Sequence, residues 1–178
     1  MKINNKFYVT IGGQGLRMKA ISPKEKHLLY YKNRRIIDWI LHLIPDAKLL
    51  GATKTLSRKH TLQEIKNEKN VVIIDCDIIP FGIDLTKIDF NSVYVFNSDK
   101  KKYGSVIVEN NIIKESNEKE NISNIKCSGI YCVKDIDILL KNMEDNSIVS
   151  GMIGAKAIYE NTFKRFGDVE DYYESISE

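Results

Sequence analysis

VVIIDCDIIP, residues 71–80, is a continuous apolar run interrupted by Asp75 and Asp77. A run of this kind reads as a central strand of a parallel sheet, buried on both faces. Carboxylates are costly to bury without partners, so two of them at the carboxyl end of such a strand require an explanation. In open α/β sheets ligands bind beyond the carboxyl ends of the strands, and hard cations such as magnesium take carboxylate oxygens together with substrate phosphates. The plainer reading is that the pair marks where the strand leaves the core. Ile78 and Ile79 weigh against it, because they continue the apolar run past the acids.

Upstream, YVTIGGQGLRMKAISPKEK at residues 8–26 joins a short apolar strand to a glycine-rich turn and a basic tail. Gly12, Gly13 and Gly15 permit backbone conformations and close approaches that a Cβ forbids, and successive exposed amides can face an anion. Arg17 adds a planar cation, and Lys24 and Lys26 add mobile ones, so the loop has the donors to hold a polyphosphate such as a nucleoside triphosphate. On its own it reads equally as a strand, a turn and a solvated basic loop.

The remaining segments supply the frame. Ile36, Ile37, Ile40, Leu41 and Ile44 recur at helical spacing over residues 35–44, and Pro45 with Asp46 ends the helix. AKLLGA (47–52) reads as a strand and residues 53–67 as a helix with Leu56, Leu62 and Ile65 inward and His60 outward. SVYVFN (92–97) is a strand, YGSVIVENNII (103–113) a hairpin turning at Glu109, Asn110 and Asn111, and KESNEKEN (114–121) a charged loop. IKCSGIYCV (125–133) predicts a strand, residues 135–143 a helix, and residues 147–159 a last core helix despite Gly151 and Gly154. An acidic segment, GDVEDYYESISE, ends the sequence. Strands alternate with helices through the first half, the pattern of a mainly parallel sheet flanked by helices.

Composition limits the function classes. With 43% hydrophobic and 29% charged residues in 178, the chain suits one soluble globular domain. A net charge of +3, with 27 basic and 24 acidic residues interspersed, lacks the basic stripe of a nucleic-acid binder. Cys76, Cys127 and Cys132 are odd in number and have neither CxxC nor His-paired spacing, which points away from a disulfide framework or zinc site and toward a reducing cytoplasm. No stretch approaches the ~18 apolar residues of a membrane span, and the apolar run near residue 8 is short for a signal peptide.

Taken together, the segments resemble the nucleotidyltransferases that make activated sugars or alcohols from a phosphate ester and a nucleoside triphosphate. The resemblance is carried by GGxGxRM at residues 12–18, KHLLYYKNRRIIDWIL at 26–41, VVIIDCDI at 71–78, YGSVIVENNIIK at 103–114, Glu118-Lys119, and SNIKCSGIYCVK at 123–134, in the family's order and spacing. It implies a doubly wound, Rossmann-like domain of the GT-A type, a mixed and mainly parallel sheet flanked by helices, over residues 1–178. Gly12, Gly13, Gln14 and Gly15 would cradle the triphosphate, Arg17 and Lys26 would neutralise it, and Gly51 would lie near the base. Asp77 would hold Mg2+. Lys119 would pair with the phosphate of the second substrate, and Gly104 and Gly129 would line the pocket for its organic half. The implied reaction transfers NMP from an NTP to a sugar phosphate with release of pyrophosphate, for surface polysaccharide synthesis. A cytidylyltransferase acting on a phospho-alcohol or phosphoramidate-like substrate is the nearest alternative. The implied partners are those two small molecules, with a homo-oligomer left open.

The sequence departs from the family pattern in three places. Pro23-Lys24 and Glu25-Lys26 both offer the expected lysine, and only Lys26 keeps the downstream register. A second metal aspartate is expected near the carboxyl terminus, where this chain has Arg165 or Gly167, with Asp168 the nearest acidic substitute. The segment between Leu41 and Val71 is short, which trims the wall expected to recognise the base. Two other classes remain open: a glycosyltransferase using Asp75-Cys76-Asp77 as a DxD, and a nucleotide-binding protein lacking its second metal ligand.

Overall fold

The computed structural model describes residues 5–11, 18, 22, 25–51, 57–118, 120–144 and 146–177. It begins with β1 (Lys6–Thr10), in which Tyr8 and Val9 are buried in opposite apolar layers. A 3-10 turn at Lys26–Leu28 leads into a hairpin of β2 (Tyr30–Tyr31) and β3 (Arg34–Arg35), turned by Lys32 and Asn33 at φ of 45° and 64°. Residues 27–31, within the motif KHLLYYKNRRIIDWIL, thus form a turn and one arm of that hairpin. α1 (Ile36–Leu43) buries Ile36, Ile37 and Ile40 as one stripe, and Trp39 Nε1 donates to the Tyr31 carbonyl at 2.8 Å. β4 (Lys48–Leu50) and α2 (Arg58–Gln63) follow; the Ser57 hydroxyl caps α2 by accepting from His60 N at 3.1 Å, and His60 is exposed as expected. Leu62 and Ile65 point inward, while Leu56 and the start of the expected helix lie outside the described residues.

β5 (Lys69–Asp75) is the central strand. Val71 and Ile73 enter one apolar layer with Leu62, Ile136 and Leu139, and Val72 and Ile74 enter the other with Ile36 and Ile40. This two-sided burial accounts for the unbroken apolar run, since neither face of the strand meets water. After a turn at residues 76–77 the chain resumes as β6 (Ile78–Ile79), then β7 (Ser92–Asn97). The hairpin of β8 (Ser105–Glu109) and β9 (Ile112–Asn117) turns at Asn110 and Asn111, with φ of 51° and 61°, the left-handed pair that a tight two-residue hairpin requires. β9 takes in the first half of the segment expected as a charged loop, because Glu115, Ser116 and Asn117 pair with Ile107, Val106 and Ser105. β10 (Ile125–Asp135) runs directly into α3 (Ile136–Asn142), whose first turn is capped by the Asp135 carboxylate accepting from Asp137 N and Ile138 N at 3.0 and 3.2 Å.

The core helix expected over residues 147–159 does not form. In its place stand a 3-10 turn at Ser150–Met152 and a strand, β11 (Lys156–Tyr159), parallel to β7. Gly154 at φ +87° diverts the chain, and a Cβ on Gly151 would stand 2.7 Å from Leu139 Cδ1, so this glycine packs against α3 where a side chain has no room. β12 (Lys164–Arg165) and α4 (Val169–Ser177) complete the chain, with β12 paired antiparallel to β6.

The large sheet runs β4-β1-β5-β10-β7-β11-β9-β8, and β8 also pairs with β10, so its second half curls toward closure. The mainly parallel sheet expected from the sequence is corrected here. Among the described residues of this sheet three pairings are parallel (β1–β4, β1–β5, β7–β11) and five antiparallel, because β10 enters between β5 and β7 in the opposite sense and the hairpin adds its own. The first half, β4-β1-β5, keeps the parallel arrangement, and helices cover both faces: α2 and α3 on one, α1 on the other. No described helix is long and apolar enough to cross a membrane.

Candidate active site

Parallel pairing of β1 with β5 brings Thr10 opposite Asp75, and the Thr10 hydroxyl donates to Asp75 Oδ1 at 3.1 Å. Arg58, at the start of α2, reaches the same carboxylate at 3.2 Å and lies 4.0 Å from Glu118 Oε1. Two residues on, Asp77 Oδ2 accepts from Lys26 Nζ at 2.9 Å, both side chains being mostly buried. Asp75 and Asp77 titrate in opposite directions. Burial raises the pKa of Asp75 and outweighs the Arg58 charge, while the nearby Asp77 charge adds to the rise. Burial acts on Asp77 as well, but Lys26, by charge and hydrogen bond, with help from Arg165 and Arg58, holds it below the ordinary carboxylate range. Asp77 is therefore the member of the pair whose ionised form the surroundings favour more.

A bulge in β10 supplies the facing wall. The register of β10 on β7 shifts between Cys127 and Tyr131, and Gly129 inside it takes φ +92°. A Cβ at Gly129 would lie 3.0 Å from both Asp75 Oδ2 and Ile78 Cγ1, so the glycine lets the backbone pass close to the acidic turn. Gly129→Ala is expected to cost about 1–3 kcal/mol from the left-handed backbone alone, with further loss as Asp75 is displaced. Urea unfolding beside a turnover assay measures both, and wild-type values in each would contradict this role.

Gly104, Glu118 and Tyr103 close the cleft on the hairpin side, together with Ser128 and Tyr131. The Gly104 Cα faces Glu118, whose carboxylate carbon a Cβ would approach to 3.4 Å, and Glu118 Oε1 accepts from the Ser147 hydroxyl at 3.0 Å. The carboxyl-terminal side is set by β12: Arg165 pairs opposite Ile78, and Phe166 N donates to the Asp77 carbonyl at 2.8 Å. Gly167 therefore borders Asp77, where a Cβ would be 3.7 Å from Oδ2.

Asp77, Gly104 and Gly129, drawn from three distant segments, thus line one cleft, and Lys26 reaches it through Asp77. Gly51 lies at the carboxyl end of β4 at φ +80°, next to Leu50, which pairs with Thr10. Asp168 is engaged elsewhere. Its carboxylate pairs with Lys102 at 2.8 Å and caps α4 by accepting from Asp171 N at 3.0 Å. Among the described residues, no group of three or more His, Cys, Asp or Glu side chains is arranged to hold a metal ion. Magnesium needs only one or two carboxylates when phosphates and water complete its shell, and Asp77, at the cleft wall with its ionised form favoured, fits that requirement. Gly12, Gly13, Gln14, Gly15, Arg17, Lys24 and Lys119 lie outside the described residues.

Arg58 and Lys102 carry no signal in the sequence, the one standing among several cations of a helix start and the other in a lysine run, while Tyr103 heads the motif in which Gly104 is the residue given a role. Lys102 meets Asp168, Glu170 and Asp171 at 2.8, 2.8 and 2.9 Å, and the Tyr103 hydroxyl donates to Asp171. These contacts tie α4 to the cleft, and sequence spacing gives no hint of them.

No family model matches the chain, and no curated protein matches it in sequence. Solved structures match it in fold. CTP:phosphocholine cytidylyltransferase from Streptococcus pneumoniae superposes with a TM-score of 0.72 at 12% identity, covering 98% of this chain and 99% of that one. The inositol-1-phosphate CTP transferase from T. maritima gives 0.71 at 12%, covering 97% and 95%, and a nucleoside-diphosphate-sugar pyrophosphorylase from Vibrio cholerae gives 0.71 at 11%, covering 97% and 100%. Over nearly its whole described length, this chain has the fold of sugar-nucleotide and cytidylyl transferases.

Proposed function

We propose that this chain is a magnesium-dependent nucleotidyltransferase, a single domain that transfers NMP from an NTP to a small phosphorylated substrate and releases pyrophosphate. The observation that carries the reading is the Lys26–Asp77 pair at the end of the central strand, facing Gly104, Gly129 and Glu118 across one cleft. The parallel β4-β1-β5 unit with helices on both faces supports a doubly wound nucleotide half.

A phosphate oxygen of the acceptor attacks the α-phosphorus in line, a new P–O bond forms, and the bond to the β-phosphate breaks with pyrophosphate as the leaving group. That oxygen is already anionic near neutral pH, so the reaction asks for positioning and charge stabilisation rather than a side-chain base. Amides of Gly12, Gly13, Gln14 and Gly15 would hold the phosphates, Arg17 and Lys26 would neutralise them, and Gly51 would border the base. Lys119 would meet the acceptor phosphate, while Gly104 and Gly129 leave room for its organic part. A magnesium ion held by Asp77 would supply Lewis-acid neutralisation of the phosphates. Asp168 was the expected second ligand; its bonds to Lys102 and α4 favour Asp77 as the principal carboxylate.

A sugar phosphate is the first acceptor class, within cytoplasmic synthesis of surface polysaccharide. CTP with a phospho-alcohol is the second, favoured because two of the structural neighbours are CTP transferases. Incubation with CTP, UTP, GTP or dTTP and a panel of sugar phosphates and phospho-alcohols, read as pyrophosphate release, separates them. Turnover with one nucleotide and one acceptor class is expected. No release from any pair, with transfer from a ready-made nucleotide sugar instead, would replace this reading with the glycosyltransferase one.

A further inference from the structure

We propose that Arg165 is a resident phosphate-binding residue of the cleft, a fixed cation standing where the family resemblance leads one to expect an acid. The inference rests on the nucleotidyl-transfer reading for the ligand's identity, but its chemistry, a guanidinium holding a phosphate, can be tested without turnover.

Among the described residues, the cations lining the cleft form ion pairs with one exception. Lys26 is bound to Asp77, Arg58 to Asp75, and Lys102 to Asp168, Glu170 and Asp171. Arg165 also lines the cleft, yet among the described residues it forms no ion pair. Its Nη1 donates to the carbonyls of Cys127 and Ser128 at 3.0 and 3.4 Å, its Nε is buried without an acceptor, and among the described residues Nη2 has none either. The guanidinium carbon lies 4.0 Å from the Tyr103 ring centroid and 4.8 Å from that of Phe96. Two carbonyls and two rings thus fix the plane of a cation with which no carboxylate among the described residues forms an ion pair. A guanidinium held in this way suits a phosphate better than a flexible ammonium does, since it loses little freedom on binding and keeps Nη2 to donate.

The neighbourhood favours the same ligand. β12 sets Arg165 opposite Ile78, one residue past Asp77. Gly167, two residues on, has no side chain to place between Asp77 and Asp171; a Cβ there would be 3.7 Å from one carboxylate and 3.0 Å from the other. The edge of the cleft that would carry a second acid therefore carries a guanidinium and a gap. Phosphate bound there is neutralised partly by the chain itself.

The test is calorimetric titration of the full chain with inorganic pyrophosphate in EDTA, at two salt concentrations. Wild-type protein is expected to bind, more weakly at the higher salt, and Arg165→Gln to weaken binding about tenfold or more. Arg165→Lys, which keeps the charge but loses the fork, is expected to fall between them, and it decides the matter if the glutamine variant fails to fold. A folded Arg165→Gln, or failing that Arg165→Lys, with wild-type pyrophosphate affinity would reduce the residue to a strut between the rings and the β10 bulge, and absent binding by the wild type would also overturn the proposal. The two readings separate cleanly. Arginine-dependent pyrophosphate binding without turnover on any nucleotide would retain this inference and remove the transferase, whereas turnover with affinity indifferent to Arg165 would do the reverse.

Discussion

Asp77→Asn is expected to lower kcat/KM by on the order of 10²–10³ or more while the protein stays folded. The carboxylate lies on the turn between β5 and β6, outside the apolar layers, and its side-chain hydrogen bond is to Lys26. Asparagine keeps an oxygen that can accept from Lys26 but removes the charge that the transferase reading assigns to magnesium and the triphosphate. A stability loss of about 1–3 kcal/mol should accompany the change, because Lys26 is left mostly buried beside a neutral partner. That loss should depend on pH in a defined sense. The folded-state pKa of Asp77 is depressed, so its contribution is fully present above the unfolded value and disappears as pH falls through the folded one. Melting curves of the two proteins should therefore differ most near neutrality and converge in acid. Wild-type turnover in the variant would end the metal role of Asp77, and a variant unfolded at neutral pH would make the residue structural.

Which parts of the molecule can be read from sequence follows from how local their causes are. Residues 71–74 announce a central strand because both faces are buried, and the acids that follow stand out since a buried carboxylate is rare. Asn110 and Asn111 announce the hairpin through a backbone conformation that few other residues accept. Strand direction has no such local cause. A strand buried on both faces has the same composition in either sense, so IKCSGIYCV at residues 125–133 could not reveal that β10 runs antiparallel to β5 and β7. The segment over residues 147–159 mimics helical spacing, and what diverts it is the left-handed Gly154 and the tight packing of Gly151 on Leu139. In the site, Asp77, Gly104 and Gly129 could be named because motif spacing placed them. Arg58 and Lys102 could not, and Arg165 only as a residue standing where an acid is expected, since what distinguishes one cation from its neighbours is the carboxylate or ring it meets across the sheet. Asp168 is one residue from the cleft-lining Gly167, and its carboxylate meets the first turn of α4 and Lys102, contacts that spacing along the sequence does not announce.

Lys26→Ala should reduce kcat/KM about 10²-fold or more, and Lys24→Ala several-fold at most. Lys24 lies outside the described residues, so the contrast rests on what Lys26 does and on the register that singled it out. The Lys26 side chain is 13% exposed and its ammonium bonds to Asp77 at 2.9 Å, which fixes a positive charge at the floor of the cleft, where triphosphate charge is expected to collect. Its removal acts twice. The cation is lost, and Asp77 loses the largest influence opposing its burial, leaving only the weaker effects of Arg165 and Arg58 to hold it ionised. The Asp77 pKa must then rise, so the acid limb of the kcat/KM profile should move to higher pH in Lys26→Ala and stay in place in Lys24→Ala. A simple loss of phosphate contact would lower the whole profile without moving that limb, which makes the pH dependence the deciding measurement. Equal losses in the two variants, with neither limb displaced, would mean that the lysine of Pro23-Lys24 shares the role and that the register placing Lys26 against Asp77 is not the one catalysis uses.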